Sequence, residues 1–125
     1  MATVIVKLND GFKIGDVVHL EAEIREASSG DIIEAMEDSE RVVMLPGSDR
    51  QEPVLVASPT MVGIHTLRRQ IVRIGDYQGP LTLAEIKRLS PIDLDVLQKH
   101  ADLLETAGLA PVTDRGRVAG GQGTD

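Results

Sequence analysis

Two serine–proline pairs, Ser58-Pro59 and Ser90-Pro91, constrain the second half of this chain more than any other feature. A serine side chain accepts a bond from the free amides of a helix's first turn. Proline suits the first helical position, where its missing N–H has no partner to lose. Each pair therefore predicts a helix start. After the first, Met61, Ile64, Leu67, Ile71 and Ile74 recur at spacings of three, three, four and three. That pattern predicts one apolar stripe on a helix ended by Gly75-Asp76. After the second, Leu94, Leu97, Ala101 and Leu104 line one face of a helix from Pro91 to about Ala107, with Gly108 placed as its C-cap. Between the two, Thr82-Leu83-Ala84-Glu85 has the form of a capping box and opens a short helix carrying Leu83, Ile86 and Leu89.

The first half reads differently. Thr3 to Leu8 is rich in β-branched residues, with Val4, Val6 and Leu8 on one side. From Val18 to Arg25 the alternation is clean: Val18, Leu20, Ala22 and Ile24 share one face, and His19, Glu21, Glu23 and Arg25 the other. Asn9-Asp10-Gly11 supplies turn chemistry between them, so the pair predicts a β-hairpin. A lone hairpin is barely stable in water, and helices or a second chain must cover its apolar face. Ser28-Ser29-Gly30-Asp31 then opens a helix whose apolar edge is Ile32, Ile33 and Met36, with the acidic residues outward. Residues 40–57, broken by Pro46-Gly47 and Pro53, read as a loop with one short strand on either side. The expected fold is α+β: an N-terminal β-hairpin, a small antiparallel sheet, packed with about four α-helices. Residues 1–109 form the single domain, and 110–125, poor in apolar residues, a disordered, flexible C-terminal tail.

Phe12 and Tyr77 are the only aromatic residues among 125, so the core is aliphatic and small. Aliphatic side chains bury less area than aromatic rings, which makes self-association or partner binding a natural source of added stability. The formal net charge of -7 opposes non-specific binding to nucleic acid. Acidity gathers in Glu21, Glu23, Glu26, Asp31, Glu34, Glu37, Asp38 and Glu40, whereas Arg68, Arg69 and Arg73 form a basic group. These arginines either pair with the acidic stretch within the fold or dock an acidic partner.

No catalytic centre is legible. Cysteine is absent, which excludes disulfides and thiolate metal sites. His19, His65 and His100 stand apart, without a two-histidine metal spacing. Ser28, Ser58 and Ser90 have cap roles, and no nucleophile elbow or phosphate loop is present. No segment approaches a membrane span. The helices beginning at Leu83 and Pro91 resemble a helix-turn-helix in outline. The second, however, opens on Pro91, Ile92, Asp93, Leu94 and Asp95, whose acids would repel phosphate.

Three runs carry a family likeness: residues 67–75 (LRRQIVRIG), 79–86 (GPLTLAEI) and 89–94 (LSPIDL), in that order and spacing. With Ser29-Gly30-Asp31-Ile32 after an acidic strand, the chain resembles the tail assembly chaperones of P2-like and Mu-like phages and prophages. The resemblance implies a non-catalytic, cofactor-free protein of the host bacterial cytoplasm, not expected in the mature virion. It would bind the tape-measure protein and keep it soluble while the tail tube assembles. A frameshifted longer product would engage the tail-tube protein, and a homo-oligomer is possible. Neither nucleic acid nor membrane is an expected partner. The candidate partner-binding residues are Met61, Ile64, Leu67, Arg68, Arg69, Ile71 and Arg73, a stripe that faces either the core or a client's amphipathic helix. The alternative role is a small structural tail-completion or adaptor protein; a helix-turn-helix-like nucleic-acid-binding regulator ranks below it, because the acidic balance opposes it.

Overall fold

A computed structural model of the chain describes residues 2–46 and 51–119. The elements run β1 (Thr3–Ile14), β2 (Val17–Arg25), α1 (Ser29–Ser39), β3 (Glu40–Pro46), β4 (Gln51–Ala57), α2 (Pro59–Gln70), β5 (Ile71–Ile74), β6 (Tyr77–Gln78), α3 (Leu83–Ile86) and α4 (Pro91–Ala119). The architecture is the expected α+β. One antiparallel sheet has the order β1-β2-β5-β6, and β3 and β4 form a separate two-stranded sheet.

The four predicted helix starts are all present. Ser28 and Asp31 make a reciprocal capping box for α1, as do Thr82 and Glu85 for α3. The Ser58 hydroxyl accepts from the amide of Met61, and the Ser90 hydroxyl from that of Asp93. Ends prove less legible than starts. α2 stops at Gln70, and residues 71–74 leave the helix to pair with β2, Ile24 opposite Ile71 and Ala22 opposite Ile74. The physical reason is local as well as tertiary: Ile71 and Val72 are β-branched, β2 has an open edge, and Arg73 meets Glu23 across the strands at 3.1 Å. Gly75, at φ +57°, then turns the chain into β6, its amide bonding the carbonyl of Glu21 at 2.7 Å. In α4 the backbone runs past Gly108 and Pro111 to Ala119, so Gly108 does not end the helix. Of the segment expected as a flexible tail, residues 120–125 lie outside the described residues.

The expected turn at Asn9-Asp10-Gly11 is instead a wide bulge inside a longer strand. Lys7 pairs with Glu21 and Phe12 with His19, so four residues of β1 stand opposite Leu20 alone. The reversal comes later, at Gly15-Asp16. What holds the bulge open is Asp93, fully buried in the first turn of α4. Its carboxylate accepts the amides of Asn9, Asp10 and Gly11 at 2.6, 3.0 and 2.8 Å. Three donors that a regular ladder would have used are thereby satisfied by one anion. Gly11 is required there: its φ is +86°, and a Cβ would lie 2.6 Å from Val18 Cγ1.

The core joins Val6, Leu8 and Phe12 of β1 to Ala22 and Ile24 of β2, Leu67, Ile71, Ile74, Leu81, Ile86, Leu89, and Leu97, Ala101 and Leu104 of α4. The sheet curls enough that Phe12, on one edge strand, lies 6.0 Å in ring centroid from Tyr77 on the other. Val18 and Leu20, expected on the covered face with Ala22 and Ile24, are exposed. They lie beside and beyond the bulge, where the pairing has shifted.

Candidate interaction surface

α1 has an apolar edge and an acidic face, and the fold turns them opposite to the expectation. Ala35 and Ser39 are buried, and Asp31, Glu34 and Asp38, on the same side, meet arginines. Ile32, Ile33 and Met36 point to solvent, 40%, 57% and 49% exposed. The cause is the end of α2. Arg68 and Arg69 sit in its last turn, where cations are favoured, with side chains only 18% and 13% exposed. Partly buried guanidinium groups need carboxylates facing them, and this requirement outweighs burial of α1's isoleucines.

The resulting lattice is specific. Arg69 donates through Nε to Glu34 at 3.3 Å, through Nη1 to the His65 carbonyl at 3.0 Å, and through Nη2 to Asp38. Arg68 donates to Asp38 at 2.9 Å, to the Leu81 carbonyl at 3.2 Å, and to His65 Nδ1 at 3.0 Å. Arginine has no acceptor, so Nδ1 of the buried His65 must accept, which makes this imidazole neutral with its proton on Nε2. Burial first, and the charge of Arg68 next, push His65 below the ordinary histidine value. The Asp38 carboxyl is held below the usual range chiefly by the bond from Arg69. Farther along, Arg25 grips Asp31 with both terminal nitrogens, at 2.6 and 3.2 Å, and also donates to the carbonyl of Arg69 at 2.8 Å. That grip, the largest influence on it, lowers Asp31 to about 2.

The residues singled out on α2 and β5 thus separate into three groups. Leu67 and Ile71 are core. Arg68, Arg69 and Arg73 are bonded to acids of the same chain, Arg73 to Glu21 and Glu23. Ile64 is half-buried against the core, while Met61 and His65 help line a cleft of about 300 Å³ with Ser39, Arg41, Ser58 and Leu83. Sequence reasoning missed the outward edge of α1. The signal was available: Asp31, Glu34 and Asp38 recur at helical spacing and are opposite in charge to Arg25, Arg68 and Arg69, the three arginines they meet. Among the described residues no group of three or more His, Asp or Glu is placed to hold a metal ion. No helix among them is long and apolar enough to cross a membrane.

Comparison with known proteins adds what geometry alone does not. The model of a family described as tail assembly protein gp41 matches residues 8–117. The chain belongs to this gp41 family. A probable tail assembly protein gp41 of Escherichia phage Mu is 38% identical over 120 residues, covering 92% of this chain and 81% of the relative. The Mu-like prophage FluMu protein gp41 of Haemophilus influenzae is 35% identical over 111 residues, 89% of this chain and 85% of its own length. A longer relative, the probable tail assembly protein FS-gp41 of Escherichia phage Mu, is 37% identical over 113 residues, which are 87% of this chain but 58% of that protein. No solved structure matches. The resemblance to Mu-like phage and prophage proteins therefore holds over most of the chain. The stretch shared with the gp41 family runs from the middle of β1 into α4, and takes in α1, its arginine lattice and both sheets.

Proposed function

We propose that this gp41 family member is a phage tail assembly chaperone that binds the tape-measure protein and keeps it soluble until the tail tube forms around it. The role is non-catalytic, is carried out in the host cytoplasm, and ends before the virion is complete. Family membership supports a part in tail assembly. The outward apolar edge of α1 is the observation that carries the binding role. A helix whose charged face is consumed internally and whose isoleucines meet water is suited to a partner rather than to solvent.

Ile32, Ile33 and Met36 form a stripe bordered by Glu37, which is exposed. An amphipathic client helix carrying Lys or Arg beside its apolar positions complements both parts of that surface. Methionine adds adaptable contact, and Met61 in the nearby cleft does the same. Burying three half-exposed aliphatic side chains contributes on the order of 3 kcal/mol, enough to hold a client reversibly. A longer product that engages the tail-tube protein fits the same scheme, and the longer FS-gp41 relative shares this region.

Co-expression with the tape-measure protein tests the proposal. The wild-type chain should bring it into the soluble fraction and co-purify with it, and Ile33→Lys should abolish both while leaving the circular dichroism spectrum unchanged. Equal solubility of the tape measure with and without the chain would refute the chaperone role. Stoichiometric presence in purified virions by mass spectrometry would instead support a structural tail subunit.

A further inference from the structure

The β3–β4 ribbon stands outside the main sheet, and neither of its edges is paired with another strand among the described residues. Two-stranded ribbons are marginal in water, and an open edge invites another strand. Its two edges are not equivalent. Pro53 lies in the middle of β4, and a proline within a paired strand sits where its missing N–H faces outward. The β4 edge thus lacks a donor at its centre, whereas β3 has its amides intact from Glu40 to Leu45.

From this we infer that β3 pairs antiparallel with β3 of a second copy of the chain, giving a four-stranded sheet β4-β3-β3-β4 across a two-fold axis. The proposal is independent of the client surface on α1. Full overlap of the seven-residue strand centres the axis on Val43, placing Val42 opposite Met44 and Arg41 opposite Leu45 of the second copy. Within one chain Val42 pairs with Leu55, Met44 with Pro53, Arg41 with Val56, and Leu45 with Glu52. On one face, then, Leu55 and Val42 of one copy run on into Met44 and Pro53 of the other. This joins side chains that are otherwise exposed, at 61%, 63% and 49% for Leu55, Val42 and Met44.

The other face supplies charge complementarity. Arg41 and Glu52 are both exposed and form no ion pair among the described residues. Their positions on one ribbon are four residues apart, about 13 Å, which is too far to pair. Self-pairing puts Arg41 in the same cross-strand row as Glu52 of the second copy, two strands away at roughly 10 Å between backbones. Their side chains span that distance over Leu45, and the two-fold axis makes the contact twice. No like charges face each other on adjacent strands.

Sedimentation and light scattering of the full chain at micromolar concentration test this without any client. The expected mass is that of a dimer. Arg41→Glu and Glu52→Arg should each weaken it at least about tenfold in Kd, because each brings like charges together twice. The double variant should restore dimerisation. Met44→Pro, which removes an outward amide, should also give monomer. Since Arg41 and Glu52 are exposed, the charge variants keep the fold, which circular dichroism verifies. A monomeric wild type overturns the proposal, as does a dimer indifferent to either charge reversal, or a double variant no stronger than the singles.

Discussion

Asp93 accepts the amide of Gly11 at 2.8 Å, joining the first turn of α4 to the middle of β1 across most of the sequence. The same carboxylate holds the amides of Asn9 and Asp10, so one side chain determines both the shape of the bulge and the seat of the helix. Its removal strands three amides at once. Asp93→Ala is expected to cost about 3–5 kcal/mol, within the range for breaking a buried charge-assisted network. Asp93→Asn, which keeps one acceptor, should cost less. Urea denaturation of both variants measures the difference, and a loss below about 1 kcal/mol for Asp93→Ala would contradict the role.

Arg25 and Asp31 make stability sensitive to acid. Asp31 titrates near 2 in the fold, against 3.8 when unperturbed. A depressed carboxyl stabilises the fold above its unfolded value and loses that contribution as pH falls through its folded one. About 2 kcal/mol should therefore vanish between roughly pH 4 and pH 2. Asp31→Asn should lower stability at neutral pH and flatten the profile over that window.

His65 works in a different range. Its value is lowered first by burial and then by the positive charge of Arg68 beside it. Below its ordinary value of 6.5 the unfolded chain binds a proton that the folded chain does not, so stability falls as pH drops from there. His65→Gln, which can still accept from Arg68, should reduce that slope in denaturation curves taken between neutral and mildly acidic pH.

Leu67 and Ile33 should respond oppositely to truncation. Leu67 is buried in the core, so Leu67→Ala is expected to cost 2–5 kcal/mol, as cavity-forming substitutions do (about that range). Ile33 projects into solvent, and Ile33→Ala should change stability by less than about 0.5 kcal/mol while weakening client binding. Thermal melts beside co-purification separate the two effects. A large stability loss for Ile33→Ala would place α1's apolar edge inside the fold.

The starts of the helices were readable because capping is local. Ser28, Ser58, Thr82 and Ser90 each act on amides within four residues, and no distant contact can improve on that arrangement. The alternation in β1 and β2 located Val6, Ala22 and Ile24 in the core for the same reason. The family likeness was legible too, since order and spacing survive in the sequence itself. Ends and orientations were not. Residues 71–74 carry a helical pattern and a β-branched composition together, and only the open edge of β2 decides between them. The strands on either side of the Pro46-Gly47 break were legible, but their antiparallel pairing along the full length of β3 and β4 was not, because register depends on the partner strand.

The arginine pair Arg68–Arg69 shows the division most clearly. By itself the sequence determined that two adjacent cations lie on α2, that α1 has three acids at helical spacing, and that one apolar stripe lies beside each. Which stripe would be buried was a tertiary decision. Leu67 went inward because the sheet lies beneath it, and Ile33 went outward because Asp31, Glu34 and Asp38 were needed to face Arg25, Arg68 and Arg69. A pattern of polarity states which side chains group together; the position of the opposing charge states which group faces in.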